Sequence, residues 1–232
     1  MCPLKVHFTH IDHIEKSMRT FLWSGKEIDK KGKCLVKWDK VSRPKEAGGL
    51  GVLDLRKQNE PLIMKNLFKF FNSHDIPWVQ LLWNAHYQNG KIPIKQQQKG
   101  SFWWRNCVSF LDDFKRLTTC VVGEGNSILF WHDKWKGEPL ASQFPEQYSF
   151  SQKSMIKVKE IKNREQDGIH SVFQLPLTLV TSEQYHIVQN LVSSMDNAGQ
   201  MDKWLFPWNN VKYSTKKVSD ALSQFIAAPP PF

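Results

Sequence analysis

Apolar side chains recur at helical spacing along most of this chain, and that periodicity constrains it to a mainly helical fold. Ile11, Ile14, Met18, Phe21 and Leu22 fall on one face of a first helix that Thr9 can cap. Leu55, Leu62, Ile63, Leu67, Phe70 and Phe71 form the stripe of a second, with Asp54 at its start and Arg56, Lys57, Lys65 and Lys69 elsewhere on its surface. Residues 76–87 read as a third helix bearing Trp78, Leu81, Leu82 and Trp83. Trp103, Cys107, Phe110, Leu111, Phe114 and Leu117 give a fourth, and a further one runs from about Ser182 to Met195. Pro61 interrupts the second stripe, where it removes a backbone hydrogen bond at a cost of about 3 kcal/mol in a helix interior.

Between the first two stripes lies a stretch of another character, residues 21–55, FLWSGKEIDKKGKCLVKWDKVSRPKEAGGLGVLDL. Ser24 and Gly25 end the first helix, since glycine accepts the positive φ of a C-cap. From Lys26 to Lys45 eight basic residues face three acidic ones. Cys34, Val36 and Trp38 alternate as in a short strand that must stop before Pro44. Gly48, Gly49 and Gly51 then impose a sharp bend or a close approach of two backbones. A flat Trp38 beside Arg43 and Lys45 is a combination common on surfaces that bind nucleic acid.

Later in the chain, Val121-Val122 and residues 128–131, joined through Gly123-Glu124-Gly125-Asn126, predict a β-hairpin. A last strand and helix begin near Trp204 and Ser214. The turn at Asn89-Gly90 and the polar run from Lys95 to Lys99 suggest a boundary, placing one region at 1–92 and another at 93–232. The tail, Ala227 to Phe232, reads as stiff extended chain. The expected class is therefore mainly α (α+β): a helical half, then a half with a β-hairpin and short helices.

Charge placement narrows the partners. The net charge of +10 is confined to the first half, because residues 1–118 carry 21 basic and 11 acidic side chains while residues 119–232 carry 11 of each. A basic half points to a polyanion. Cys2, Cys34, Cys107 and Cys120 form no CxxC pair, which fits neither a zinc knuckle nor a disulfide framework. No apolar run approaches the roughly 20 residues of a membrane span. The chain is expected to be intracellular, in nucleus or cytoplasm, with Lys30-Lys31 a weak nuclear address.

A series of motifs carries a resemblance. FLWSG is followed by KCLVKWDKVSRPKEAGGLGVLDLRKQNEPLIMKNLFKFF and by IPWVQLLWNAHY; then come GSFWWRNCVSFLDDF, VVGEGNSILFWHDKW, FPEQYSF, DKWLFPW and YSTKKVSDAL. In this order they resemble the region just after the polymerase palm in plant LINE-type (non-LTR) retrotransposon reverse transcriptases. The resemblance implies a thumb-like first half and a connector second half that leads to the family's C-terminal zinc-binding segment, so that the chain looks like the middle of a larger protein cut on both sides. It also implies that Pro61 departs from a small helix-former usual in the family, as in a kinked helix or a decaying copy. The parent activity is RNA-directed DNA synthesis, in which the palm holds magnesium; the palm aspartates and the zinc cluster are expected to be absent here.

Three constellations are weighed against simpler readings. Phe110-Leu111-Asp112-Asp113 has the look of a polymerase metal turn, but it sits in a helical pattern with no strand carrying a third aspartate before it. It is read as a solvated helix face. His7, His10 and His13 share roughly one helix face and could hold a transition metal, yet a surface role is favoured. His132-Asp133 in WHDKW points to opposite faces if the backbone is extended, which leaves Trp131 and Trp135 as core anchors.

The expected function is that of a non-catalytic fragment with no cofactor or metal. It contacts RNA–DNA duplex or RNA through phosphates, using Lys37, Lys40, Arg43, Lys45, Arg56, Lys57 and Lys65. Docking on a missing palm is a further expected partnership. The alternatives are a decayed remnant without a molecular function, and a metal-dependent enzyme using the histidines and aspartates.

Overall fold

The computed structural model describes residues 6–24, 36–43, 45, 48–52, 54–87, 91–95, 100–164, 169–176, 178–195, 199–208 and 212–227, with side chains of the last helix described to residue 222. Cys2, Cys34, the Lys30-Lys31 pair, Asn89-Gly90 and the segment beyond Ala227 lie outside these residues. Helices dominate, accompanied by a two-stranded antiparallel sheet, so the mainly α (α+β) class holds. The chain forms two compact units, Met1–Asn66 with Ser101–Cys107 and Ser214–Phe232, and Leu67–Gly100 with Val108–Tyr213. Residues on both sides of position 92 fall in the second unit.

The first unit contains α1 (Phe8–Ser24), α2 (Trp38–Val41), the opening of α3 (Leu55–Asn72), most of α5 (Phe102–Val108) and α11 (Thr215–Ala227). Its buried apolar residues include Ile11, Val41, Ile63, Met64, Trp104 and Val218. Asp54 caps α3 as its sequence position suggests, accepting the amides of Arg56 and Lys57 at 3.1 and 3.2 Å. α3 runs unbroken through Pro61, so tertiary burial of its stripe outweighs the lost hydrogen bond. α1 is tied to α3 where the Val6 amide donates to Asn59 Oδ1 at 3.2 Å and Arg56 bonds Asp12. The strand expected through Val36 and Trp38, stopping before Pro44, is corrected over its described part: Trp38 opens α2, whose first bonds run from the Lys40 and Val41 amides to the Lys37 carbonyl.

The second unit contains the end of α3, α4 (Pro77–His86), α6 (Leu111–Leu117), β1 (Thr119–Val121), α7 (Leu140–Gln143), α8 (Pro145–Ser149), α9 (Val158–Lys162), a 3-10 turn (Ile169–Val172), α10 (Leu179–Ser193) and β2 (Lys203–Leu205). The single helix expected from Trp103 to Leu117 is in fact α5 and α6. The break falls at Ser109-Phe110, just before Asp112 and Asp113, which favour a new helix N-terminus. The helix expected from Ser182 starts earlier, at Leu179, with Thr178 as its cap. Phe71, Phe114 and Trp204 stack at the centre of this unit, with ring centroids 4.7 to 5.8 Å apart. Asn72 clamps the Trp204 backbone from both sides: its Oδ1 accepts the Trp204 amide at 2.8 Å and its Nδ2 donates to the Trp204 carbonyl at 3.1 Å.

The predicted hairpin does not form. β1 pairs with β2 in the register Thr119–Leu205, Cys120–Trp204 and Val121–Lys203. Residues 128–130 instead bond to 156–158, through Phe130 N–H to Ile156 and Val158 N–H to Ile128. Two buried carboxylates explain the difference. Asp202 accepts the amides of Gly123, Gly125 and Ser127 at 2.9, 2.7 and 2.8 Å, and the Ser127 hydroxyl at 2.9 Å. Asp133 accepts the Leu129 amide at 2.6 Å and the Lys115 ammonium at 2.7 Å. Amides committed to these oxygens cannot form a ladder across the loop. Gly123 also admits residues 200–201: a Cβ there would lie 1.9 Å from the Gln200 carbonyl oxygen.

Candidate nucleic-acid interface

The basic stretch closes on itself in a compact loop. After the four-residue α2, the Leu50 amide donates to the Val41 carbonyl at 3.0 Å and the Gly51 amide to the Arg43 carbonyl at 2.9 Å. The glycine bend is needed because a Cβ on Gly49 would fall 2.0 Å from the Arg43 carbonyl oxygen. Val41 is buried and anchors the segment, while Lys37, Lys40, Arg43 and Lys45 are all exposed. Among the described residues none of these four cations has an ion-pair partner. They form a cationic surface on a short, hydrogen-bonded scaffold.

Arg19 joins it from α1, with its guanidinium carbon 5.9 Å from the centre of the Trp38 ring. The sequence reading missed Arg19 because it took α1 only for its apolar stripe. A basic residue one turn from Lys16 on the flank of that stripe was the available signal.

The remaining candidates are placed differently. Arg56 is paired with Asp12 and lies 3.8 Å from Glu15, and Lys57 lies 3.7 Å from Asp54. Their charge is largely answered within the protein. Burial raises the Glu15 carboxyl above the ordinary glutamate range, with Arg56 opposing the shift. Lys65 is exposed on α3, eight or nine residues from Arg56 and Lys57, or roughly 12–14 Å along the helix axis.

The acidic and histidine motifs are also fixed in place. Asp112 and Asp113 sit in the first turn of α6, paired with Lys95 at 3.0 Å and Arg116 at 2.8 Å. His7 bonds Thr9 Oγ1 through Nδ1 at 2.9 Å, and its ring lies 6.5 Å from that of His10. Among the described residues no three His, Cys, Asp or Glu side chains are grouped as a metal site would require. Asp133 is a structural partner of Lys115, while His132 bonds the Tyr148 hydroxyl at 3.3 Å. Among the described residues no helix is long and apolar enough to cross a membrane.

No profile of a known protein family matches the chain, and no solved structure does. Two proteins of Arabidopsis thaliana are similar to it. One, provisionally named a ribonuclease H protein, is 32% identical over 136 residues, which is 56% of this chain and 22% of that protein. The other, an uncharacterized mitochondrial protein, is 26% identical over 124 residues, 53% of this chain and 80% of its own length. The chain thus spans about a fifth of the first relative.

Proposed function

We propose that this chain is a non-catalytic piece of a plant retroelement protein, from the thumb and connector of a LINE-type reverse transcriptase, and that it holds nucleic acid by the phosphate backbone. The observation that carries the reading is the group of Lys37, Lys40, Arg43 and Lys45, exposed and without carboxylate partners among the described residues, on a loop stiffened by its own hydrogen bonds. Cations of this kind neutralise phosphates and release counterions without reading bases. Similarity to part of a protein provisionally named a ribonuclease H protein supports a nucleic-acid partner.

Arg56 ties α1 to α3 through Asp12 and Lys57 pairs with Asp54, the cap of α3, so both contribute less than the α2 loop. Ile14, Phe21 and Leu22 leave an apolar flank of α1 exposed, which suits docking on the palm of the intact polymerase. Asp112 and Asp113 are held in ion pairs with Lys95 and Arg116.

The test has two parts. Purified chain is assayed for binding to an RNA–DNA duplex, and for nucleotide incorporation and hybrid cleavage with magnesium present. Salt-sensitive binding with neither activity is expected. Incorporation or cleavage that copurifies with the chain would overturn the non-catalytic part.

A further inference from the structure

We propose that the second unit carries a separate pocket for a nucleotide, taking the base in its apolar interior and the phosphate on its basic rim. The pocket is a cleft of about 530 Å³ between the 93–95 segment, one face of α6, residues 129–139 and Met155. That volume falls within the range of small-molecule sites, roughly 300–1,000 Å³. Its apolar walls come from Pro93, Ile94, Leu111, Leu129 and Met155.

The charged groups set the ligand's sign. Lys95, Lys115, Arg116 and Lys134 line the cleft against Asp112 and Glu138. The ion pairs at its mouth, Lys95–Asp112 and Lys134–Glu138 at 3.0 Å and Arg116–Asp113 at 2.8 Å, each have at least one exposed partner and exchange for a bound anion at little cost. Lys115 differs from these. Its ammonium is largely buried, held by the buried Asp133 at 2.7 Å and lying 5.4 Å from the centre of the Trp204 ring. It keeps further donor positions open, as an ammonium carries three N–H bonds. A fixed cation beside an apolar wall, under a rim of cations held only in surface ion pairs, matches an anionic group joined to a ring. Ser142 and Glu138 on the rim provide hydrogen-bonding groups for ribose hydroxyls or base edges. A fatty acid would want a closed apolar tunnel, and inorganic phosphate would leave the apolar walls unused.

Free mononucleotide and the terminal nucleotide of a strand present the same chemistry. The probes are AMP, adenosine, inorganic phosphate and a 5′-phosphorylated dinucleotide, titrated into the full chain and followed by saturation-transfer NMR. AMP is expected to bind at least about tenfold more tightly than adenosine or phosphate, since a charge-assisted contact and apolar burial act together. Lys95→Ala with Lys134→Ala should weaken AMP by roughly tenfold or more. Ser142→Trp, at an exposed rim position, should block the cleft while circular dichroism and duplex binding by the α2 loop stay unchanged. Tighter binding of the dinucleotide assigns the site to strand ends, and equal binding assigns it to free nucleotide. The proposal is overturned if AMP fails to bind, if adenosine or phosphate binds equally well, or if AMP binding survives Ser142→Trp in a folded protein. Because the pocket lies apart in sequence from the α2 loop, loss of duplex binding in α2 variants leaves this test unaffected.

Discussion

Replacing Asp202 by alanine removes the acceptor for four donors at once. The amides of Gly123, Gly125 and Ser127 and the Ser127 hydroxyl all lie within 2.9 Å of its carboxylate, in a place where Asp202 is only 6% exposed. Each buried donor left unmade costs about 1–3 kcal/mol, and water entering the vacated space recovers part of that, giving a loss of roughly 3–6 kcal/mol. At about 2–4 °C per kcal/mol for a chain of this size, the melting midpoint should fall by roughly 6–24 °C. Asp202→Asn should fall in between, because its amide offers one acceptor and turns an NH2 toward the remaining donors. Urea unfolding followed by tryptophan fluorescence measures the loss, with Glu183→Ala, an exposed change on α10, as the control. A loss under about 1 kcal/mol for Asp202→Ala would refute the claim that this carboxylate organises residues 123–127.

Other consequences follow from the same structure. Asn72→Ala strands the Trp204 amide and carbonyl and should cost about 2 kcal/mol in the same urea experiment. Burial pushes the Cys107 thiol up to about 12 and holds Cys120 well above the ordinary range, so both should resist a thiol reagent at neutral pH until the chain is unfolded, as read by peptide mapping. Burial lowers the His132 imidazole below its ordinary value of 6.5, so the unfolded chain binds the proton more readily. This contribution to stability is intact above pH 6.5 and declines as pH falls through the window beneath it. His132→Gln should flatten that decline in a thermal-melt series across pH.

Local signals were the most legible part of the sequence. The cap at Asp54 and the Gly48-Gly49-Leu50-Gly51 bend each rest on residues within a few positions of one another, and each took its predicted place, whereas the α1 stripe formed its helix but buries only Ile11 of its five residues. The hairpin failed for a long-range reason. Residues 121–131 have every local feature of one, but the acceptor that redirects their amides, Asp202, lies more than 70 positions away. β1 likewise finds its partner near Trp204, a strand the sequence did indicate without saying what it pairs with. The basic candidates divide by the same principle. Lys37, Lys40, Arg43 and Lys45 were readable as a local charge run, whereas the pairing of Arg56 with Asp12 and the approach of Arg19 to Trp38 arise only once α1, α2 and α3 are packed.

The most direct test of backbone binding is the salt dependence of duplex affinity for the wild-type chain and for a variant with Lys37, Lys40, Arg43 and Lys45 all changed to Ala, both checked for intact helical content. Four phosphate contacts predict a slope of log K against log salt of roughly −3 to −4 for the wild type, collapsing toward zero in the variant. Equal slopes and affinities for the two proteins would contradict the account and remove the α2 loop as the nucleic-acid surface.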